Sequence, residues 1–296
     1  GARVSILDNA SNPSSLKEER ARKDVEIIHG ECKDPVAATQ ACKKKDIVMN
    51  LAAKVAGVAY NQAHKGTMLS ENLLIQATMI DAARRGRVER FLAVSSAVVY
   101  PSDAVIPTPE SEGFRGEPEK VNGGYGWAKR VNELLARYYF EEFGMGVSVV
   151  RPYNCYGPGD HFFPTPTHVI PSLIRRVMDG EDPVVVWGSG RQTRAFLYVD
   201  DLVRGMMLAT EKYAIADPIN LGSDEEVTMK QLIETIIHVS GKMPNIVFDT
   251  TKPDGSLRRN SDNAKAKEKI GFTAKTKLEE GLRKTINWYN RTALSN

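Results

Sequence analysis

Short apolar runs alternate with helix-patterned segments through the first half of this 296-residue chain, and that alternation restricts its fold more than any other feature. Strands are expected over residues 3–8, 25–29, 46–51, 90–94 and 147–151. Helical patterns occupy 16–22, 35–42, 71–85 and 132–143, the last running on from Tyr125. Strands separated by helices imply βαβ units, hence an α/β fold built on a doubly wound parallel sheet with helices on both faces. Such sheets bind ligands beyond the carboxyl ends of their strands. Asp8, Ala52, Ala53 and Ser96 fall at those ends.

The texture changes after Tyr156. Residues 157–167 are rich in Pro and Gly and form no regular element. Beyond them, helices are expected over 169–178, 200–210, 229–240 and 278–290, and strands over 184–187, 196–199 and 218–221. The expected division is a first domain over 1–156, with a return segment about 195–222, and a smaller α/β lobe over 157–296.

Charge and cysteine content narrow the class. Forty basic residues against 37 acidic ones leave a net charge of +3, a near-balance that argues against a nucleic-acid partner. No apolar stretch approaches the ~20 residues of a membrane span, and the opening Gly-Ala-Arg-Val-Ser-Ile-Leu-Asp reads as a strand rather than a signal peptide. Cys32, Cys42 and Cys155 have neither metal-ligand nor disulfide-framework spacing, so no metal is expected and a reducing cytoplasm is the expected location.

Chemistry enters with three side chains. Tyr125 and Lys129 are four residues apart, so a helix places them on one face. An ammonium beside a phenol favours the phenolate and is expected to pull the Tyr pKa towards neutrality. Ser96, at the end of an apolar strand, can hydrogen-bond the same substrate oxygen. The set suits movement of a hydride and a proton between an alcohol and a ketone. A Tyr-x-x-x-Lys pair alone is equally an ordinary solvated helix face, so its weight comes from the other motifs in order along the chain.

That ordered set resembles the extended short-chain dehydrogenase/reductase family, in particular its nucleotide-sugar epimerases and reductases, and the resemblance covers essentially the whole chain. It implies a Rossmann-like domain followed by a nucleotide-sugar-binding lobe. By this resemblance Ser96, Tyr125 and Lys129 are the catalytic triad. Asp8 in Leu7-Asp-Asn9 matches the acidic residue that holds the adenosine ribose, favouring NAD over NADP. Asn9 and Glu31 sit at the adenine end, Leu51-Ala-Ala-Lys54 lies along the cofactor, and Asn72 braces the sheet. Arg151-Pro-Tyr-Asn-Cys-Tyr-Gly-Pro158 matches a family segment that brings Pro152 to the cofactor and Asn154 to the substrate diphosphate. Arg194 and Arg258 are the matching diphosphate clamps, work suited to guanidinium groups. Arg194 has a second reading as a surface partner of Asp200 or Asp201.

The second half looks most like GDP-fucose synthase-like enzymes, through 168–176, 186–190 and 252–255. This implies substrate contacts from His168, Val169, Trp187 and Lys252, with His168 either an acid/base or a cap of the following helix. Those enzymes use a cysteine where this chain has Val98, and valine carries no proton. Neighbouring dehydratases place an acid just after the serine, where Ala97 and Val98 stand here. The surviving expectation is an NAD-dependent GDP-sugar epimerase acting at C4 through a keto intermediate, as a homodimer. Two alternatives stand beside it: a GDP-4-keto-6-deoxy-sugar reductase/epimerase, and a catalytically incomplete nucleotide-sugar-binding protein. The last is raised by a missing first βα unit, because no Gly-x-x-Gly-x-x-Gly turn occurs near the start.

Overall fold

The computed structural model describes residues 1–11, 24–162 and 168–293, so the helix expected over 16–22 lies outside the described residues. In chain order the elements are β1 (Val4–Asp8), β2 (Val25–His29), α1 (Pro35–Cys42), β3 (Ile47–Asn50), α2 (Val58–Ala63), α3 (Lys65–Arg85), β4 (Arg90–Val94), α4 (Gly123–Phe143) and β5 (Gly146–Pro152). There follow β6 (Cys155–Tyr156), α5 (Val169–Met178), β7 (Val184–Trp187), β8 (Thr193–Ala195), β9 (Leu197–Tyr198), α6 (Val199–Lys212) and β10 (Ile219–Leu221). The last are β11 (Glu226–Thr228), α7 (Met229–Ser240), β12 (Ile246–Asp249), β13 (Arg258–Arg259), α8 (Ala264–Ile270) and α9 (Leu278–Ala293). Among the described residues no helix is long and apolar enough to cross a membrane.

The chain forms two compact units. The first is Gly1–Pro101, Gly113–Arg151 and Leu208–Ile219; the second is Ser102–Glu112, Pro152–Met207 and Asn220–Asn296. These cuts differ from the expected 1–156 and 195–222 in three ways. Residues 152–156 join the second unit, the return segment is shorter, and the loop Ser102–Glu112 also goes to the second unit.

The first unit is α/β with parallel strands. β3, β4 and β5 run parallel, Ile47 opposite Arg90 and Arg90 opposite Gly146, and β10 continues the sheet from Ile219. Parallel neighbours need long crossovers, which α2–α3 and α4 supply. Phe91, Leu92, Val147 and Val149 are almost fully buried, as expected of strands covered on both faces. Phe91 and the two valines pack with Ile80 and Ala83 of α3 and Ala136 of α4. Between those valines, Ser148 donates to the Ala209 carbonyl of α6 at 2.9 Å, so β5 has helical cover on its other side too. β1 and β2 form their own parallel pair, Val4 opposite Val25. Lys45, just before β3, ties that pair to the rest by donating to Ser5 Oγ at 2.5 Å and pairing with Glu26 at 3.5 Å. Among the described residues these are two parallel ladders, in keeping with the α/β parallel class expected from the sequence.

α3 and α4 approach closely because of Gly124. A Cβ there would lie 2.2 Å from the Lys65 carbonyl oxygen, inside any permissible contact. Backbone on both sides leaves no flexible group to yield. Gly124→Ala is expected to destabilise the protein by about 1–3 kcal/mol, read as a lower urea midpoint with an unchanged slope.

The second unit is built from smaller sheets. β8 is flanked by antiparallel β11 and parallel β13, while β7 pairs with β12 and β6 with β9. Ile174, Leu232, Ile233 and Leu282 form its core. α7 starts at a capping box in which Thr228 Oγ1 accepts from Gln231 N at 3.0 Å and the Gln231 side chain accepts from Thr228 N at 2.8 Å. The sheet edge is pinned by Glu226, whose carboxylate receives Arg258 Nε and Nη2 at 2.8 and 2.9 Å. The Arg258 hydrogen bonds hold Glu226 down to about 2. A depressed carboxylate contributes stability above its unfolded pKa, which is lost as pH falls through the folded value. The Tm of wild type should therefore fall between about pH 4.5 and 2, and Glu226→Gln should flatten that limb.

Candidate active site

Ser96 follows β4 and caps a 3₁₀ turn, Ala97–Val99, in extended conformation (φ −165°, ψ 155°). Its hydroxyl accepts weakly from Val98 N at 3.4 Å. The turn is held at both ends by consecutive residues of α4: Lys129 Nζ donates to the Val94 carbonyl at 2.6 Å, and Arg130 donates twice to the Val99 carbonyl, at 2.9 and 2.7 Å. Gly126 lets the helix start lie against the turn, since a Cβ there would meet the Val98 carbonyl at 2.9 Å. The two glycines flanking Tyr125 thus bring it to the end of β4.

Ser96, Tyr125 and Lys129 all belong to the first unit, and the fold brings them to one strand end. The electrostatics differ from the sequence expectation. The Lys129 ammonium stands over the Tyr125 ring, 5.4 Å from its centroid, and its hydrogen bond goes to Val94. Burial therefore governs the phenol and pushes it up to about 12. Burial also lowers Lys129 to about 8, with Glu133 acting in the opposite direction. A phenol held neutral in this way can donate a hydrogen bond to an oxygen placed at the strand end.

The remaining cofactor candidates also lie in the first unit, apart from Pro152. Asp8 ends β1, its Oδ1 accepting from Ala10 N at 2.6 Å. Asn9 reaches across to Glu31 at 3.1 Å. Leu51, Ala52, Ala53 and Lys54 form an irregular segment after β3, with Leu51 exposed. Asn72 is buried and holds that segment, accepting from Lys54 N at 3.0 Å and donating to the Lys54 and Met68 carbonyls. Its amide is fully engaged as a brace. Pro152 closes β5. A carboxylate at the end of β1, an irregular segment after β3 and the Tyr125/Lys129 pair are groups whose chemistry fits a nicotinamide cofactor.

The substrate candidates, Ser96 apart, lie in the second unit. Asn154 takes a left-handed conformation (φ 37°) and donates to the Ala195 carbonyl at 2.8 Å. His168, the residue before α5, places Nδ1 2.9 Å from Asp160 Oδ1, and that hydrogen bond raises its pKa. Val169 is exposed beside it. Burial, then Asp160, pushes the nearby Cys155 thiol up to about 12, so it supplies no thiolate at neutral pH. Trp187 is 65% exposed, with Lys252 Nζ 5.7 Å over its ring. Arg194 donates to the Thr193 and Ser256 carbonyls at 2.7 and 2.8 Å. Asp201, its alternative partner in the sequence, receives Arg204 and the amides of Lys275 and Thr276. β13 sets Arg258 beside β8, but Glu226 neutralises its charge.

Sequence reasoning passed over Ser95, Glu133, Asp160 and Arg130. Glu133 carried a signal, four residues beyond Lys129 on the same helix face. Arg151 was noted only as the head of its motif.

A parallel α/β unit with a strand-end serine and a helical Tyr/Lys pair defines a nicotinamide-dependent oxidoreductase or epimerase of the short-chain type. Comparison with known proteins narrows this. The NAD dependent epimerase/dehydratase family matches residues 1–222, and the chain belongs to that family. It is 36% identical over 265 residues to a probable GDP-L-fucose synthase 1 of Oryza sativa subsp. japonica, covering 88% of this chain and 80% of the relative. It is 34% identical over 248 residues to GDP-mannose 3,5-epimerase 1 of Oryza sativa subsp. indica, covering 82% and 64%. The UDP-glucose 4-epimerase of Thermotoga maritima, solved with UDP-glucose, superposes with a TM-score of 0.87 at 26% identity, covering 99% of this chain and 92% of that one.

Proposed function

We propose that this protein is an NAD-linked epimerase of a GDP-sugar, acting at C4 through a 4-keto sugar. The observation that carries the reading is the strand-end site itself: Ser96, Tyr125 and Lys129 stand together, while the positions after the serine are Ala97 and Val98, which move no proton. Chemistry at a single carbinol is what this set can perform. A bound nicotinamide would take up and return the hydride. Tyr125, as the phenolate, would accept the sugar hydroxyl proton while the hydride leaves C4 and return it when the hydride comes back to the other face. Ser96 donates a hydrogen bond to that oxygen, and the Lys129 ammonium over the Tyr125 ring favours the phenolate. Asp8 favours NAD because a carboxylate repels an additional ribose phosphate. Asn154, Arg194, Arg258, Trp187, Lys252, Val169 and His168 are assigned to the GDP-sugar. Trp127, Val131 and Tyr138 leave an exposed apolar stripe on α4, which supports a homodimer. The free thiols of Cys32, Cys42 and Cys155 support a reducing, cytoplasmic location.

A second reading, a GDP-4-keto-6-deoxy-sugar reductase/epimerase, is favoured by the His168–Asp160 pair, which provides an oriented imidazole outside the Tyr125 site. Denaturing the purified protein and identifying released nucleotide, then assaying GDP-mannose and GDP-4-keto-6-deoxymannose, separates the two. Stoichiometric NAD and a C4 epimer with no net change in nicotinamide absorbance support the epimerase. Net loss of reduced cofactor with the keto sugar selects the reductase. Absence of both nucleotide and turnover leaves a binding protein.

A further inference from the structure

Behind Ser96 and Lys129 lies a buried carboxylate that the reaction above does not use. Glu133 and Arg151 side chains are each 2% exposed and form a bidentate pair, Nε to Oε1 at 2.8 Å and Nη2 to Oε2 at 2.6 Å. Arg151 Nη1 continues to the Tyr100 hydroxyl at 2.9 Å. The Ser95 hydroxyl donates to Glu133 Oε1, and Ser95 N donates to the Val150 carbonyl at 2.8 Å. One carboxylate therefore joins α4, β5 and the end of β4, one residue before Ser96 and one helical turn after Lys129.

Burying a charge pair to hold one serine gives little net stability, because desolvation offsets the attraction. The arrangement does tie the residue before Ser96 to α4 and β5. We propose that Glu133 is the positioning residue of this active site, fixing the Ser96 strand end through the Ser95 hydroxyl while Arg151 anchors the carboxylate to β5. The proposal rests on the roles given above to Tyr125 and Lys129.

The charged and titratable groups that act on this cluster include Lys129 and Arg130 on α4, Arg151 on β5, Tyr100 after the 3₁₀ turn and Glu117, which faces Arg130. Arg130 is engaged with backbone carbonyls. Glu133 is the charge that acts on Lys129 against the loss of its proton by burial.

Glu133→Gln alone leaves Arg151 buried without a counter-ion and can unfold the chain, so it is paired with Arg151→Met, which removes both charges. Ser95→Ala, which keeps the ion pair, tests the geometric half. Lys129 is followed by the ε-carbon resonance in lysine-labelled protein, assigned with Lys129→Met, a readout that needs no cofactor. The Lys129 midpoint is expected to fall in the double variant, because the carboxylate that opposes its desolvation is gone. Ser95→Ala is expected to keep that midpoint and lower kcat about tenfold or more at nearly constant KM. Wild-type kcat in Ser95→Ala or in the folded double variant overturns the proposal. Tyr125→Phe, assayed alongside, separates the two levels. If it is inactive while Ser95→Ala keeps wild-type kcat, Glu133 is structural only. If it is active, the catalytic assignment itself fails.

Discussion

Tyr125→Phe is expected to reduce turnover by about 10²–10⁴-fold, with KM for the sugar nucleotide changed by less than about threefold. The substitution removes one hydroxyl and nothing else. Ring packing against Lys129 is retained, as is the close approach of the helix start allowed by Gly124 and Gly126. Burial pushes the wild-type phenol up to about 12, and the lost group is the one that exchanges a proton with the reacting sugar oxygen. An interaction made chiefly in the transition state lowers kcat and kcat/KM together. Turnover within a few-fold of wild type would remove Tyr125 from the mechanism.

Arg151→Met is expected to cost about 3–5 kcal/mol of stability, the largest loss anticipated for a single side chain here. Burial works against the guanidinium charge, but Glu133 and its hydrogen bonds outweigh that and hold Arg151 firmly protonated. A Gly113 Cβ would lie 2.3 Å from Nη2, so the loop backbone packs directly on the guanidinium. Methionine fills part of that volume but leaves the Glu133 carboxylate buried without its bidentate partner. Urea denaturation measures the loss. Combining Arg151→Met with Glu133→Gln should restore most of it, because no unpaired charge remains. Equal midpoints for the single and double variants would show that packing, not charge, dominates the pair.

Local signals accounted for the long elements. α1 was legible from end to end because Asp34 caps it, accepting from Val36 N at 3.0 Å, and Pro35 starts it. The expected strands over 25–29, 90–94 and 184–187 were found at those residues. β9 falls inside the strand expected over 196–199, whereas β6 and β13, of two residues each, left no periodicity to read. They exist because a partner strand meets them. α3 began six residues earlier than its pattern suggested, at Lys65, where small and polar residues obscure the apolar face.

The candidate site divides in the same way. Tyr125 and Lys129 were legible because four residues make one helical turn, and Ser96 because an apolar strand ended before it. Those relations are short-range, and the sequence by itself determined them, together with the parallel α/β class. The protonation state of Tyr125, the engagement of Lys129 with Val94, the pairing of Arg258 with Glu226 and the Glu133–Arg151 link were decided by the tertiary structure alone. Desolvation and ion pairing depend on which residues distant in the chain meet in a medium that excludes water, and local spacing carries no record of that.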